Sequence, residues 1–513
     1  VQIIDNKALL LTLRNPKRVT SVIPKSKELP NNQVLVKWDL DEAQVLKNLQ
    51  IKNVPSPILG RYDWPGRYKP FDHQRTTAAF LTLNRKAFCF NEQGTGKTGS
   101  VIWASDYLMK QGKVRRVLII CPLSIMDSAW RADLFKFAMH RKVDIAFGTA
   151  AKREQVIRGD AEFVIINYDG VEIVKKAIAE SGFDLIVVDE ANAYKNTQTK
   201  RWKTLNALIT TKTWLWMLTG TPAAQSPVDA YGLAKLVNPM NVPHFFTGFK
   251  DMVLTKVTNF KWVPKKSATQ TVFLALQPAI RFTKDMCLDL PEMVYVQREV
   301  PMTKQQEKYY AHLKDKMVAD IAGGTVTAAT AAVNMNKLLQ ISCGAVYDDD
   351  RDVIEFDISN RYNVLLEVIE ETSNKILVFV PFKHIANILR DKLVKDGHAS
   401  EIINGDVPVG KRNQIFQEFQ TTPNPKVLII QPQAASHGVT LTAADTVVWW
   451  GPTSSLETYA QANARVHRAG QTNKTTVIQL QGSRIERYVY GLLDNKIDIH
   501  SSIVNLYEEM LED

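Results

Sequence analysis

Residues 87–98 read Ala-Phe-Cys-Phe-Asn-Glu-Gln-Gly-Thr-Gly-Lys-Thr. Four apolar residues, 87–90, have the pattern of a strand buried on both faces. Gly94-Thr95-Gly96-Lys97-Thr98 then opens a stretch with helical periodicity. Strand, glycine turn and helix are the setting that a phosphate-binding loop requires. Glycines let backbone N–H groups wrap phosphate oxygens, and the helix start adds partial positive charge. In this pattern Lys97 reaches the β- and γ-phosphates of ATP, and the Thr98 hydroxyl ligates Mg2+. The strict pattern has glycine five places before Gly96, and Asn91 stands there.

Short apolar runs bounded by turn residues recur around this loop, at 117–121, 143–147, 163–166, 185–188 and 214–218. With helical stretches between them they predict a doubly wound parallel α/β domain over 68–238. The run 185–188 ends in Asp189-Glu190. A lone Asp-Glu after a strand commonly caps a helix. Paired with the loop at 91–98 it becomes specific: Asp189 holds Mg2+ and Glu190 acts as general base on the attacking water.

The same rhythm returns over 356–498, with strands predicted at 376–380, 401–403, 427–430, 446–450 and 475–480 and helices at 384–395 and 456–466. Between the two α/β domains, 239–355 reads as a mostly helical insertion. It has a helix near 305–321 and a mobile Gly/Ala/Thr-rich loop at 323–332. Within it Lys250, Lys256, Lys261, Lys265 and Lys266 surround Phe260 and Trp262, a candidate DNA contact centred on Lys261 and Trp262. Residues 1–67 form a small α+β module, with strands at 8–13 and 33–38, a helix at 41–49 and a Pro/Gly-rich linker at 55–66. Residues 499–513 form a short amphipathic tail.

Composition bounds the function class. The 513 residues are 45% hydrophobic and 23% charged, an ordinary globular balance for about three domains. That excludes a disordered, collagenous or disulfide-stapled chain. Cys89, Cys121, Cys287 and Cys343 lie far apart, with neither a CxxC pair nor a histidine at zinc-ligand spacing. No apolar run approaches the roughly 20 residues that span a bilayer, and the opening residues lack signal-peptide character. The expectation is a soluble cytoplasmic monomer with no membrane partner. A net charge of +11 points to a polyanionic partner.

In order along the chain, these motifs resemble those of the superfamily 2 helicase-like ATPases of SNF2 type, over residues 68–498. Phe71-Asp72-His73-Gln74 resembles the adenine-reading Q motif, with Gln74 as reader. Cys121-Pro122-Leu123-Ser124, followed by Trp130, is similar to motif Ia, which implies DNA contacts at Pro122 and Ser124. Asn167-Tyr168 matches the next strand-end motif, and Asp189-Glu190-Ala191-Asn192 resembles the DEAH box. Leu218-Thr219-Gly220-Thr221-Pro222 resembles motif III, which couples nucleotide state to DNA. Arg281-Phe282-Thr283-Lys284 with Leu290-Pro291 resembles the start of the bridge between lobes. Residues 434–444 with Gly438 resemble motif V, and 461–471 resemble motif VI, which makes Arg465 and Arg468 arginine fingers and Gln461 a nucleotide contact.

The resemblance implies two RecA-like lobes, ATP with Mg2+, and translocation on duplex, forked or branched DNA. Tyr168, Thr219, Gly220 and Thr221 would then be further DNA contacts. The sequence departs from the family at Asn192, where the box carries histidine, at Gln225, where asparagine is usual, and at Ala435, Ser436 and Thr440 in motif V. That motif V is similar to the annealing-helicase, fork-remodelling branch and to bacteriophage SNF2-type branch-migration helicases. An RNA helicase, the motor subunit of a restriction system and an inactive scaffold are the competing readings.

Overall fold

The computed structural model describes residues 1–223, 226–257, 262–287, 291–322, 328–347, 353–435, 439–468 and 470–495. The chain divides into two compact units, Val1–Leu288 and Asp289–Asp513.

The first unit is built on a seven-stranded parallel sheet. Its order is Ala279–Ile280, Lys86–Cys89, Trp214–Leu218, Leu185–Val188, Val117–Cys121, Phe163–Asn167, Val143–Ala146. Side chains alternate between two cores, because successive residues of a strand face opposite ways. Phe88, Leu118 and Ile120 enter one core, and Ala87, Cys89, Val117 and Ile119 the other. Helices therefore cover both faces, which is why these strands read as continuous apolar runs.

At the N-terminus, Gln2–Ile4, Ala8–Thr12, Gln33–Lys37 and Lys27–Leu29 form an antiparallel sheet in that order. It closes on its own core of Leu9, Leu11, Val34, Val36 and Trp38. Helix Leu40–Asn48 fastens this module to the larger sheet domain. Gln44 Nε2 donates to the Thr82 carbonyl at 2.9 Å, and Leu40 enters that domain's core.

The second unit has a six-stranded parallel sheet, ordered Met293–Glu299, Thr475–Gln481, Ala444–Trp449, Lys375–Phe379, Val427–Ile430, Ser400–Ile403. It too has a core on each face, Leu377 and Phe379 on one side and Ile376 and Val378 on the other. A buried ion pair ties its helices together. Arg361 Nη2 donates to Glu486 at 2.8 and 3.1 Å, and Glu486 also accepts from the Gly482 and Ser483 N–H groups.

Residues 239–355 are not one helical insertion. The stretch up to 287 packs on the first unit: Phe249, Val253, Ala268 and Leu276 join its core, and Ala279–Ile280 adds a strand beside Lys86–Cys89. From 291 onward the chain belongs to the second unit, where Met293–Glu299 pairs along its full length with Thr475–Gln481. Two residues of strand are too few to show a period. Gln297, Arg298 and Glu299 gave the other strand a loop-like composition, which an edge position tolerates. Helix Ala328–Cys343 covers the second half of the loop expected at 323–332, and residues 323–327 lie outside the described residues. The tail at 499–513 and the anticipated bridge residue Leu290 lie outside the described residues.

Candidate nucleotide site

The loop between strand Lys86–Cys89 and helix Lys97–Lys110 turns on Gly94 (φ +86°) and Gly96 (φ +76°), values that favour glycine. A Cβ on Gly96 would lie 2.1 Å from Gln74 Nε2, so the carboxamide of the expected adenine reader sits directly against the loop. Gln74 is buried. Its Oε1 accepts from the Phe71 N–H at 2.9 Å, and its Nε2 donates to the Gly96 carbonyl at 3.3 Å. His73 contacts the Thr95 carbonyl at 2.8 Å. In this arrangement Gln74 shapes the loop. Lys97 Nζ bends back over the loop and donates to the carbonyls of Asn91 at 2.8 Å and Glu92 at 3.4 Å. Thr98 is half-buried in the first turn of the helix.

Asn91 turns out to be a junction. It is 1% exposed; its Nδ2 donates to Thr77 Oγ1 at 2.8 Å, and its Oδ1 accepts from the Phe282 N–H at 3.0 Å. The Thr77 hydroxyl is itself spent on the His73 carbonyl at 2.7 Å, so Thr77 needs a donor opposite it. Asparagine meets both demands at once, which accounts for the departure from glycine. The Glu92 N–H adds a bond to the Phe282 carbonyl at 2.9 Å. Asn91→Ala leaves the half-buried Phe282 N–H without its acceptor and Thr77 Oγ1 without its donor. A loss of about 1–3 kcal/mol is expected, read from urea unfolding followed by tryptophan fluorescence. An unchanged midpoint would show the junction to be incidental.

Asp189 and Glu190 follow strand Leu185–Val188, in the parallel sheet that also carries the loop. The Asp189 carboxylate is held at both oxygens: Oδ2 accepts from Trp130 Nε1 at 2.9 Å and Oδ1 from the Glu190 N–H at 3.0 Å. Glu190 has φ +47°, a left-handed conformation that costs a non-glycine residue on the order of 1 kcal/mol. The Tyr168 hydroxyl steadies that turn by donating to the Asp189 carbonyl at 2.6 Å. Gln93 Nε2 donates to Glu190 Oε1 at 3.2 Å and so ties the carboxylate to the phosphate loop. Asn192 Nδ2 donates to the Thr221 carbonyl at 3.0 Å, linking the acidic box to the turn at 219–222.

The residues anticipated as DNA contacts divide by exposure. Thr219 and Pro122 are buried, and the Tyr168 hydroxyl is committed to the acidic box, so all three brace the site from within. Burial, reinforced by Asp189 and Glu190, pushes the Tyr168 phenol well above its usual range. Trp130 is wholly buried in a π-helical turn, Met126–Arg131, and serves Asp189 rather than a strand of DNA. Ser124 and Thr221 are half-buried, and Gly220 is buried, where a Cβ would crowd Gln93 Cγ at 3.3 Å. Trp262 packs half-buried on the core with Lys250 Nζ 3.8 Å from its ring centre, a cation–π contact. Lys261, Phe260 and Gln225 lie outside the described residues.

In the second unit, helix Leu456–Asn463 ends before the two arginines. The helix expected at 456–466 is therefore shorter, and Arg465 and Arg468 are in the turn that follows. The Arg465 carbonyl accepts from the Leu441 N–H at 2.9 Å, and Arg468 Nη1 donates to the Val439 carbonyl at 3.2 Å. Gln471 Nε2 fixes the turn from beyond, on the Ala444 carbonyl at 2.8 Å, and His467 contacts the Pro291 carbonyl at 2.8 Å. Gln461 is buried with its Nε2 on Glu457 at 3.1 Å. Gly438 and Ser436 lie outside the described residues.

Among the described residues no group of three or more His, Cys, Asp or Glu side chains gathers to hold a metal. Mg2+ is bound elsewhere through one or two carboxylates with substrate phosphates and water. Thr98 and Asp189 are such a sparse donor set.

The SNF2-related domain model matches residues 73–344, more than half of the chain. The chain belongs to the SNF2-related family. The helicase conserved C-terminal domain model matches residues 360–470, inside the second unit. Among similar SNF2 relatives, a protein named "Uncharacterized ATP-dependent helicase" of Mycoplasma genitalium is 27% identical over 76% of this chain and 37% of its own length. The SWI/SNF-related matrix-associated actin-dependent regulator of chromatin subfamily A-like protein 1 of Drosophila melanogaster is 23% identical over 86% of this chain and 56% of its own. The chain thus spans well under two thirds of either relative. A solved SWI2/SNF2 ATPase core of Sulfolobus solfataricus in complex with dsDNA is 22% identical, with a TM-score of 0.42, and covers 88% of this chain and 97% of that one. No helix among the described residues is long and apolar enough to cross a membrane.

Proposed function

We propose that the chain is a DNA-dependent ATPase that converts hydrolysis into movement along duplex or branched DNA. The observation that carries this reading is that Gln93, on the loop held by Lys97, donates to Glu190, which with Asp189 follows another strand of the same parallel sheet. The candidate cradle is thereby joined to the candidate general base, and the Glu190 N–H to the candidate Mg2+ carboxylate of Asp189, by direct hydrogen bonds. Membership of the SNF2-related family and the helicase names of its relatives support it.

On this reading the loop N–H groups and Lys97 bind the phosphates. Glu190, held by Gln93 and by its left-handed turn, orients the attacking water and takes its proton. Thr98 and Asp189 would hold Mg2+, which would supply charge neutralisation at the phosphates. Arg465 and Arg468 supply positive charge to the γ-phosphate region, so that ATP favours a closed state and hydrolysis releases it. Grips on the DNA backbone are electrostatic and nearly blind to sequence. The motif V departures at Ala435, Ser436 and Thr440 favour forked or branched DNA, in fork remodelling or branch migration, over nucleosomes.

ATP hydrolysis measured side by side on single-stranded, duplex, forked and four-way DNA and on RNA tests the reading. Stimulation should be strongest with forked or four-way DNA and absent with RNA. Equal rates with and without every nucleic acid would end it.

A further inference from the structure

The N-terminal module distributes its charge unevenly. From Asn6 to Lys27 the sequence holds Lys7, Arg14, Lys17, Arg18, Lys25 and Lys27 and not one aspartate or glutamate. All six side chains are exposed, and among the described residues none takes part in an ion pair. Four of them stand on the connection 13–26, between strands Ala8–Thr12 and Lys27–Leu29. The connection is not a slack loop. Val19 and Ile23 anchor it in the module's core at 0% and 5% exposure, and Ser26 Oγ donates to the Ile23 carbonyl at 2.6 Å. Lys27 continues the row onto the edge strand of the sheet.

Glu28, beside Lys27, is the one acidic residue near this row; Asp39 and Asp41 lie at the other end. Strand register pairs Thr12 with Gln33 where the basic connection leaves, and Ala8 with Lys37 at the far end. There Asp39 is paired with Lys37 and Arg61, and Asp41 with Lys113, which follows helix Lys97–Lys110 of the nucleotide-bearing domain. Asp39 and Asp41 are thus neutralised where the module docks, and the basic row at 14–27 is left to solvent with Glu28 as its one acidic neighbour. Like charges so close repel one another, and a partner that brings negative charge relieves that repulsion.

We propose that Arg14, Lys17, Arg18, Lys25 and Lys27 form a second DNA-backbone contact, outside the helicase motifs, that holds duplex phosphates against the N-terminal module. This rests on the reading of the chain as a DNA-dependent ATPase. A membrane surface is the poorer occupant, because Val22 is the one large exposed hydrophobic side chain between residues 13 and 27 among those described. The contact is independent of sequence, and its rigid attachment through Gln44 and Leu40 makes it move with the phosphate loop.

The test replaces all five with glutamine (Arg14→Gln, Lys17→Gln, Arg18→Gln, Lys25→Gln, Lys27→Gln) in the whole chain. Duplex binding is followed by fluorescence anisotropy across a potassium chloride series. Each lost phosphate contact lowers the slope of log affinity against log salt by about 0.9. A fall of about 3–5 is expected, with affinity down at least about tenfold at moderate salt. DNA-free hydrolysis and kcat at saturating DNA should stay as in the parent chain. A parent slope in a variant with parent-like thermal unfolding overturns the proposal. If the fivefold variant fails to fold, Lys17→Gln and Lys25→Gln singly must each lower the slope by about 0.9, and no change in either overturns it. Binding of the parent but not the variant to phosphatidylserine vesicles, with DNA slopes equal, would also overturn it, in favour of a lipid surface. If the parent chain binds no duplex at all, it is the ATPase reading that fails, a result distinct from all of these.

Discussion

Lys97→Ala should reduce ATP turnover by at least about 10²–10³ and leave duplex DNA binding within a few-fold of the parent. Lys97 Nζ lies at the mouth of the loop, 2.8 Å from the Asn91 carbonyl and 3.4 Å from that of Glu92. Two neutral carbonyls hold the ammonium in place without cancelling its charge. A bound triphosphate offers it anionic oxygens instead, and charge-assisted hydrogen bonds are roughly twice as strong as neutral ones. Alanine removes that charge where negative charge builds up in phosphoryl transfer. The fold should survive, because the loop keeps its other supports: Asn91 on Thr77 and Phe282, Gln93 on Glu190, and His73 on the Thr95 carbonyl. Phosphate release and DNA anisotropy on the same preparation check both halves. Turnover within tenfold of the parent would remove Lys97 from the chemistry.

Arg465→Ala should lower kcat by roughly 10³–10⁵ with little change in ADP affinity. Arg465 is 6% exposed, and its backbone is pinned by the Leu441 N–H on its carbonyl at 2.9 Å. The turn that carries it is fixed from both sides, by Gln471 on the Ala444 carbonyl and by His467 on Pro291. A guanidinium on such a platform is pre-organised, so little ordering cost is left when it meets a phosphate. Arg465→Lys should recover only a small part of the rate, because an ammonium cannot reproduce the planar fork. Arg468→Ala should behave in the same direction. Loss of ADP affinity in step with kcat would point to a collapsed second unit instead.

Much of the architecture was legible in residues 87–98 and in the apolar runs around them. Strands buried on both faces leave an unmistakable pattern, and the parallel cores of both units follow it. What escaped was strand without such a pattern. Ala279–Ile280 is too short, and Met293–Glu299 mixes charge into an edge position. At the site, motif spacing pointed to Lys97, Asp189 and Glu190, whereas their supports were hidden. Trp130 looked like part of a DNA-touching motif, yet only the fold reveals that its indole N–H lies 2.9 Å from Asp189. Tyr168 is similar, since a strand-end aromatic gives no sign in sequence of which carbonyl its hydroxyl will meet. Asn91 did leave a trace, as the residue out of place in the glycine pattern. Its meaning needed Thr77 and Phe282, 14 positions before it and 191 after it, brought to either side. The helix expected over 456–466 ends at Asn463, and the turn that follows gives the Arg465 carbonyl to the Leu441 N–H.

The central proposal is that the loop at 91–98 with Lys97 holds ATP and that Arg465 adds charge needed only for phosphoryl transfer. Binding of ADP with aluminium fluoride and Mg2+, a mimic of phosphoryl transfer, tests it most directly when set beside binding of ADP alone. The account predicts that the parent chain holds the mimic far more tightly than ADP, that Lys97→Ala weakens both, and that Arg465→Ala abolishes only the extra affinity for the mimic. Undiminished preference for the mimic in Arg465→Ala would contradict the claim.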